Sequence, residues 1–272
     1  MVHKVVSRRP LRSQLTLWQK LGQTKYRHQE SLFLAEGFKV VQELLKSDWE
    51  TRAILVMEER GARRGILSCP VPEETDIYEL TEAEWAKLSQ DRTPEGIMAL
   101  VAIPRRSHVD PLPSLDDSGH LLLLYRISNP SNLGAVIRTA HWFGIRNILL
   151  SAGSVDFTNS KTVRSAMGSL FHVTTIPDVD FTGIMPRIKE RYVLVGGDHR
   201  KGVIPHPCMK RTALLLGSES HGLPEDLLCM TDEQWRIPGT ERTDSLSLPQ
   251  AAAIMMYECT KQETGGGGKG QG

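Results

Sequence analysis

From Gly119 onward, short apolar runs alternate with stretches of helical period. The apolar runs predict strands at 120–127, 146–151, 172–176, 192–197, 212–217 and 234–238. Between them, apolar residues recur every three or four positions, which predicts helices at 132–143, 160–167, 180–190, 224–230 and 248–261. In the first of these helices Leu133, Val136, Ile137, Ala140 and Phe143 share one face, which must be core. Strands alternating with helices predict an α/β fold built on a parallel sheet with helices on both faces. Ligands of such sheets bind beyond the carboxyl ends of the strands, so the loops there are the first to inspect.

The N-terminal part has a shorter pattern. In "EGFKVVQELLKS", Phe38, Val41, Leu44 and Leu45 fall on one helical face. "AILVM" and "IYEL" read as strands. Thr81 and Glu84 form a capping box for a helix through Trp85 and Leu88, and "GIMALVAI" reads as a buried strand. Residues 13–103 therefore predict a small α/β unit. "PRRSHVDPLPSLDDSG" follows, with three prolines and no apolar period. The expected organisation is a first domain over 1–104, a linker over 105–118, a larger α/β domain over 119–262 and a disordered tail over 263–272. The tail "GGGGKGQG" is no phosphate loop: no Ser or Thr follows its lysine, and no strand or helix flanks it.

The net charge of +1 says little, but its distribution says more. Residues 1–28 hold Lys4, Arg8, Arg9, Arg12, Lys20, Lys25 and Arg27, with Trp18 and Tyr26 among them and no acidic residue. That pattern fits either a polyanion footprint or a solvated basic face. No apolar run is long enough to span a bilayer, and the N-terminus has no signal-peptide core. Cys69, Cys208, Cys229 and Cys259 lack CxxC or Cys/His spacing, so reduced, buried thiols in a cytoplasmic protein are expected, without a zinc site. His141, His172, His199 and His221 form no readable constellation. The absence of G-x-G-x-x-G after the first strand, of G-x-S-x-G and of H-E-x-x-H disfavours an ordinary dinucleotide fold, a hydrolase elbow and a zincin.

Three segments at predicted strand ends carry polar residues. The first is "SNPSNLGAVIRTAHWFG", Ser128 to Gly144. The second is "GSESHG", Gly217 to Gly222, whose glycines let backbone approach a ligand closely. The third runs from Ile237-Pro238 into a helix at Ser247-Leu248-Pro249-Gln250. Ser247 and Gln250 can form a capping box, with Pro249 tolerated in the first turn, so Ser245 and Ser247 have an ordinary role as caps.

In order and spacing these segments resemble the three motifs of the SpoU (TrmH-type) RNA ribose methyltransferases. Asn129-Pro130-Ser131-Asn132-Leu133-Gly134 with Arg138 resembles motif 1, and Leu216 through Leu223 resembles motif 2. Ile237-Pro238 through Ser245-Leu246-Ser247, followed by "AAAIMMYE", resembles motif 3. "VRSAMGSLFH" is similar to the family's segment after its second strand. "KYRHQESLFLAEGFKVVQELL" and "TPEGIMALV" are similar to the substrate-binding domain that often precedes the catalytic one.

The resemblance implies an S-adenosylmethionine-dependent 2′-O-ribose methyltransferase with a SPOUT domain, a deep trefoil knot and a homodimeric state. It implies a structured RNA substrate, ribosomal before transfer RNA. Arg138, Asn132, Glu219 and Ser245 become the expected catalytic set. Leu216, Gly217, Ser218, Glu219, Gly222, Ile237, Pro238, Leu246 and Ser247 become the expected cofactor residues. Arg8, Arg9, Arg12, Lys20, Lys25 and Arg27 are the candidate RNA contacts, and no metal or membrane is expected. A guanidinium stays protonated, so Arg138 suits an electrostatic role toward a developing alkoxide or a phosphate better than that of a base. Glu219 is expected to orient neighbouring loops or Arg138, and Asn132 the substrate. Two positions depart from the family: Asn129 stands where it has Asp or Glu, and Ser247 where it has Asn. These departures keep a second reading open, an RNA-binding protein that has lost the chemistry.

Overall fold

The computed structural model describes residues 7–58, 71, 75–104, 110–115, 119–240 and 246–261. The chain forms two compact units. The first takes the residues before 106 together with Thr158–Phe171, and the second takes the rest.

In the first unit, β1 (Ser7–Arg8), α1 (Arg12–Lys20), α2 (Thr24–Glu30), β2 (Leu32–Glu36), α3 (Phe38–Leu44), β3 (Thr51–Met57), β4 (Asp76–Leu80), α4 (Glu82–Leu88) and β5 (Ile97–Ala102) follow in order. The five strands lie in the order β1-β4-β3-β5-β2. Strands β1, β3 and β4 pair in parallel, and β5 runs antiparallel to β3 and β2. The expected capping box starts α4: Glu84 N–H donates to Thr81 Oγ1 at 3.3 Å, and Thr81 N–H to Glu84 Oε2 at 2.9 Å. Trp18, Leu55, Leu80, Trp85 and Met98 are buried together on one side of this sheet. Strand β2 was not expected; its alternation buries Phe33 and Ala35. The helix expected at 160–167 forms as α6 (Ser160–Ser165), but it belongs to this unit, where Arg164 pairs with Asp91 at 2.9 Å.

The second unit contains β6 (Leu121–Leu124), α5 (Pro130–Trp142), β7 (Asn147–Ser151), β8 (Thr174–Val179), α7 (Phe181–Lys189), β9 (Val193–Gly197), β10 (Thr212–Leu216), α8 (Glu225–Cys229), β11 (Glu233–Trp235) and α9 (Leu248–Thr260). All strands pair in parallel in the order β11-β9-β10-β6-β7-β8. Leu121 to Leu124 are all buried, because both faces of a parallel sheet are covered. The chain leaves β6 toward β7 and β8 on one side, then returns on the other through β9, β10 and β11. Such a reversal opens a crevice at the carboxyl ends of β6 and β10. Helix α9 packs against both α5 and β10.

Two expectations need correction. Within the expected linker, Leu112 is buried in the second unit's core, in a short 3-10 turn (Leu112–Ser114), and Leu115 packs against the same core. The prolines had masked that anchoring. The cysteines are not uniformly buried: Cys259 is, Cys208 is half-buried and Cys229 is exposed. Cys69 and the C-terminal tail lie outside the described residues. Among the described residues no helix is long and apolar enough to cross a membrane.

Candidate active site

Strands β6 and β10 lie side by side with Leu124 opposite Leu216, so their following loops start together. Tyr125 N–H donates to Leu216 O at 2.8 Å and fastens the two exits. Beyond β6 the chain enters α5 at Asn129, whose Oδ1 accepts from Ser131 N–H at 2.9 Å and Asn132 N–H at 3.3 Å. Asn129 is thus the N-cap, satisfying donors that no helical carbonyl can reach. Pro130 occupies the first turn, where its missing N–H has no helical partner to lose. Leu133, Val136, Ile137 and Ala140 are fully buried, which fixes the rotation of α5. Arg138 is left exposed, less than two turns beyond Asn132, and has no ion-pair partner among the described residues.

The second loop is a tight turn. Gly222 N–H donates to Ser218 O at 2.9 Å, and His221 N–H to Ser218 Oγ at 3.3 Å. A Cβ on Gly217 would lie 2.2 Å from the backbone carbon of Gly222, so only glycine closes this turn. Gly222 has φ +65°, and a Cβ there would meet nothing within 4 Å, so its backbone faces open space. Glu219, exposed at the tip, accepts through Oε1 from Asn132 Nδ2 at 2.5 Å. This bond joins the first two loops. Of the two roles expected for Glu219, this is the one toward a neighbouring loop, through Asn132.

The third loop leaves β11 with Ile237 half-buried and Pro238 exposed. Residues 241–245, with the expected catalytic Ser245, lie outside the described residues. The chain reappears at exposed Leu246 and caps α9 with Ser247. Its N–H and Oγ both donate to Gln250 Oε1, at 3.2 and 2.9 Å. Leu248 is buried and anchors the first turn. Ser218, Gly222, Ile237 and Leu246 thus offer backbone groups with apolar surface, beside buried Leu216. That is the chemistry an adenosine needs, and the residues present fit S-adenosylmethionine.

Sequence reasoning passed over Arg126. It is exposed at the exit of β6 with φ +50°, a left-handed conformation uncommon for arginine. Its N–H donates to Ser151 Oγ at 2.8 Å, and its guanidinium lies 5.7 Å from the Tyr125 ring. Backbone strain of this kind gathers at functional sites. Nothing in the sequence pattern signals a left-handed residue there; the only hint is a cation at a strand end.

The basic N-terminal set divides. Arg12, Lys20 and Lys25 are exposed, and both lysines lie over the Tyr26 ring, at 5.5 and 5.8 Å. Arg8 and Arg9 are exposed but paired with Asp76 and Glu58 at 3.1 and 2.7 Å. Arg27 is a correction, since it is only 3% exposed. Its guanidinium donates to Leu21 O, Gly22 O, Thr24 Oγ1 and Thr158 Oγ1, so it ties the fold together rather than facing a ligand.

With this geometry in view, the chain can be set beside known proteins. The sequence model of the SpoU rRNA Methylase family matches residues 119–257, and that of the MRM3-like substrate binding domain matches 13–99. The 23S rRNA (guanosine(2553)-2′-O)-methyltransferase RlmP of Bacillus subtilis is 32% identical over 245 residues, covering 88% of this chain and 93% of that protein. The 23S rRNA (uridine(2479)-2′-O)-methyltransferase of Streptomyces viridochromogenes is 25% identical over 260 residues, covering 92% and 90%. Among solved structures, the AdoMet-bound rRNA methyltransferase of Sinorhizobium meliloti superposes with TM-score 0.79 at 25% identity, over 94% of this chain and 98% of that one. A TrmH-family protein from Porphyromonas gingivalis gives TM-score 0.79 at 26% identity, over 94% and 100%. The parallel sheet, the three loops at its carboxyl edge and these matches agree: the chain belongs to the SpoU rRNA methylase family.

Proposed function

We propose that the chain methylates a ribose 2′-hydroxyl of large-subunit ribosomal RNA, using S-adenosylmethionine. The observation that carries this reading is the Asn132–Glu219 bond between the loops leaving β6 and β10, with Arg138 exposed just beyond it. S-adenosylmethionine supplies an activated methyl group when bound. The residues of motifs 2 and 3, Leu216, Gly217, Ser218, Gly222, Ile237, Pro238, Leu246 and Ser247, would hold it. Asn132, held by Glu219, orients the target nucleotide. Arg138 stabilises the developing alkoxide or an adjacent phosphate with a planar, permanently charged fork. Arg126, at the same strand edge, offers a second cation to the RNA backbone. Arg12, Lys20 and Lys25, with Tyr26 between the lysines, give the first unit a basic and aromatic surface suited to RNA.

The relatives' activities on 23S rRNA favour ribosomal over transfer RNA, and a cytoplasmic site of action belongs to the same reading. A homodimer is supported by exposed apolar residues on two helices that pack together: Trp142, 84% exposed, on α5, and Ile254 and Tyr257 on α9. The deep knot belongs to the same reading, supported by α9 lying against both α5 and β10.

Methyl transfer from labelled S-adenosylmethionine to ribosomal RNA, followed by mapping of the modified ribose, tests the proposal. Arg138→Ala should lose most turnover while cofactor affinity, read by calorimetry, stays within a few-fold. Arg138→Lys should also be poor, because a point charge does not replace the fork. Near-wild-type turnover in either variant removes Arg138 from the mechanism. Cofactor binding without methylation of any RNA would favour the non-catalytic reading.

A further inference from the structure

Away from the methyl-transfer loops, the approach to β10 meets the last turn of α9. Cys208 and Cys259 are neighbours there, and the Cys208 thiol donates to His206 O at 3.9 Å. The backbone holds them in place: Cys208 N–H donates to Cys259 O at 3.3 Å. Cys259 Sγ lies 3.5 Å from Nδ1 of buried His120, which also accepts from Thr212 N–H at 3.1 Å. An Nδ1 that accepts a backbone N–H carries no proton, so the Cys259 thiol lies against an unprotonated ring nitrogen. Cys208 is half-buried and open to solvent, whereas Cys259 is sealed in the core.

We propose that Cys208 and Cys259 form a peroxide-oxidisable thiol pair, which closes to a disulfide between the β10 approach and α9. The inference stands independently of the methyl-transfer reading. Two features fit the accessible member for first attack. Cys208 sits where a small peroxide reaches it. Its thiol is also lowered to about 7, chiefly by the hydrogen bond with Cys259, then by Thr212 and His206, against the opposing effect of burial. A thiolate is the reactive form at neutral pH.

The step balances with hydrogen peroxide as oxidant. The Cys208 thiolate attacks one peroxide oxygen, the O–O bond breaks, and Cys208 becomes a sulfenic acid as the other oxygen leaves as water. Cys259 then attacks Cys208 Sγ and gives up its thiol proton. The S–S bond forms, the S–O bond breaks, and the departing hydroxide takes the proton as a second water. Two thiols and one peroxide give one disulfide and two waters. The covalent ring would enclose β10, the Gly217–Gly222 turn, β11, the Ile237–Ser247 segment and α9, so α9 could no longer lift from the sheet independently.

The test is peptide mapping of the full chain after brief exposure to dilute hydrogen peroxide and alkylation of the remaining thiols. Alkylated cysteines should fall from four to two per chain, with a Cys208–Cys259 linked peptide that dithiothreitol reverses. Cys208→Ser, a change at a half-exposed site that leaves the core intact, should abolish the link; Cys229→Ser and Cys69→Ser should keep it. Cys208 recovered as sulfinic or sulfonic acid without the link overturns the proposal. So does a crosslink that maps to Cys229 or Cys69.

Discussion

Replacing Asn129 with alanine should separate the structural from the chemical meaning of this chain's departure from the family pattern. Asn129 Oδ1 accepts two backbone N–H groups, from Ser131 and Asn132, at the start of the helix that carries Arg138. Alanine leaves both donors to solvent, and loss of such a cap costs about 1 kcal/mol. Asn129→Asp keeps the acceptor and adds a negative charge at the helix N-terminus, which contributes about 0.3–1 kcal/mol, with the lower end fitting an exposed cap. The stability order should therefore run Asp, Asn, Ala. Turnover should follow more steeply, because Asn132 is both a capped donor through its N–H and the side chain that grips Glu219. A frayed first turn loosens that grip.

Scanning calorimetry, following the transition of the unit that contains α5, reads the stability side; single-turnover methylation reads the other. If Asn129→Ala matches the wild type within about 0.3 kcal/mol, the cap assignment is wrong. If stability holds and turnover collapses, Asn129 touches substrate, and its side chain must then be explained by chemistry.

Three further outcomes follow from the geometry. Ser247→Ala should cost about 1 kcal/mol as a lost cap, while Ser247→Asn should be nearly neutral for stability and raise turnover if an amide serves the site; unchanged values for Ser247→Asn in both assays reduce Ser247 to a cap. Arg27→Met should destabilise the first unit by about 1–3 kcal/mol, because it strands the buried carbonyl of Leu21; a weakened RNA affinity at unchanged stability would return Arg27 to the RNA-contact set. His206 is raised above its ordinary value, first by its hydrogen bond to Glu233 Oε1 at 2.8 Å and then by Pro207 O. A group raised on folding adds stability that is complete below its unfolded pKa and fades as pH rises through its folded pKa. Titration of the His206 ring by NMR should therefore shift downward in Glu233→Gln, and an unmoved midpoint would refute the pairing.

Periodicity made the second unit legible almost element by element. Leu121–Leu124 and the buried face of α5 are strong signals because a two-sided core demands apolar residues at every strand position and on one helical stripe. The first unit was less legible. Helices α1 and α2 are basic and short, and β2 is too brief to stand out before α3. Leu112 was lost among prolines. Charge patterning misled at Arg27, because a run of cations does not say which of them turns inward. The catalytic motifs were visible, but their contact was not: Asn132 and Glu219 are 87 residues apart, and only the register of β6 beside β10 brings them together. Cys208 and Cys259 show the same limit, lacking any short spacing that could have paired them.

That division bears on whether the two departures matter. Asn129 and Ser247 stand at the same kind of place, the N-cap of a helix that packs on the other. Asn129 accepts two free N–H groups of its turn, and Ser247 closes its own through Gln250, so the local backbone does not require the family's usual residue. In the proposed function the chemical demand falls elsewhere, on Arg138 and Asn132 at the solvent edge of α5 and on Glu219 in the turn after β10. The two side chains on α5 are held by its buried face, Leu133, Val136 and Ile137. An inactive relic would be free to lose an exposed arginine that no fold contact retains. Arg138 is such a residue, with no ion-pair partner among the described residues, so its presence is better explained by a substrate than by the fold.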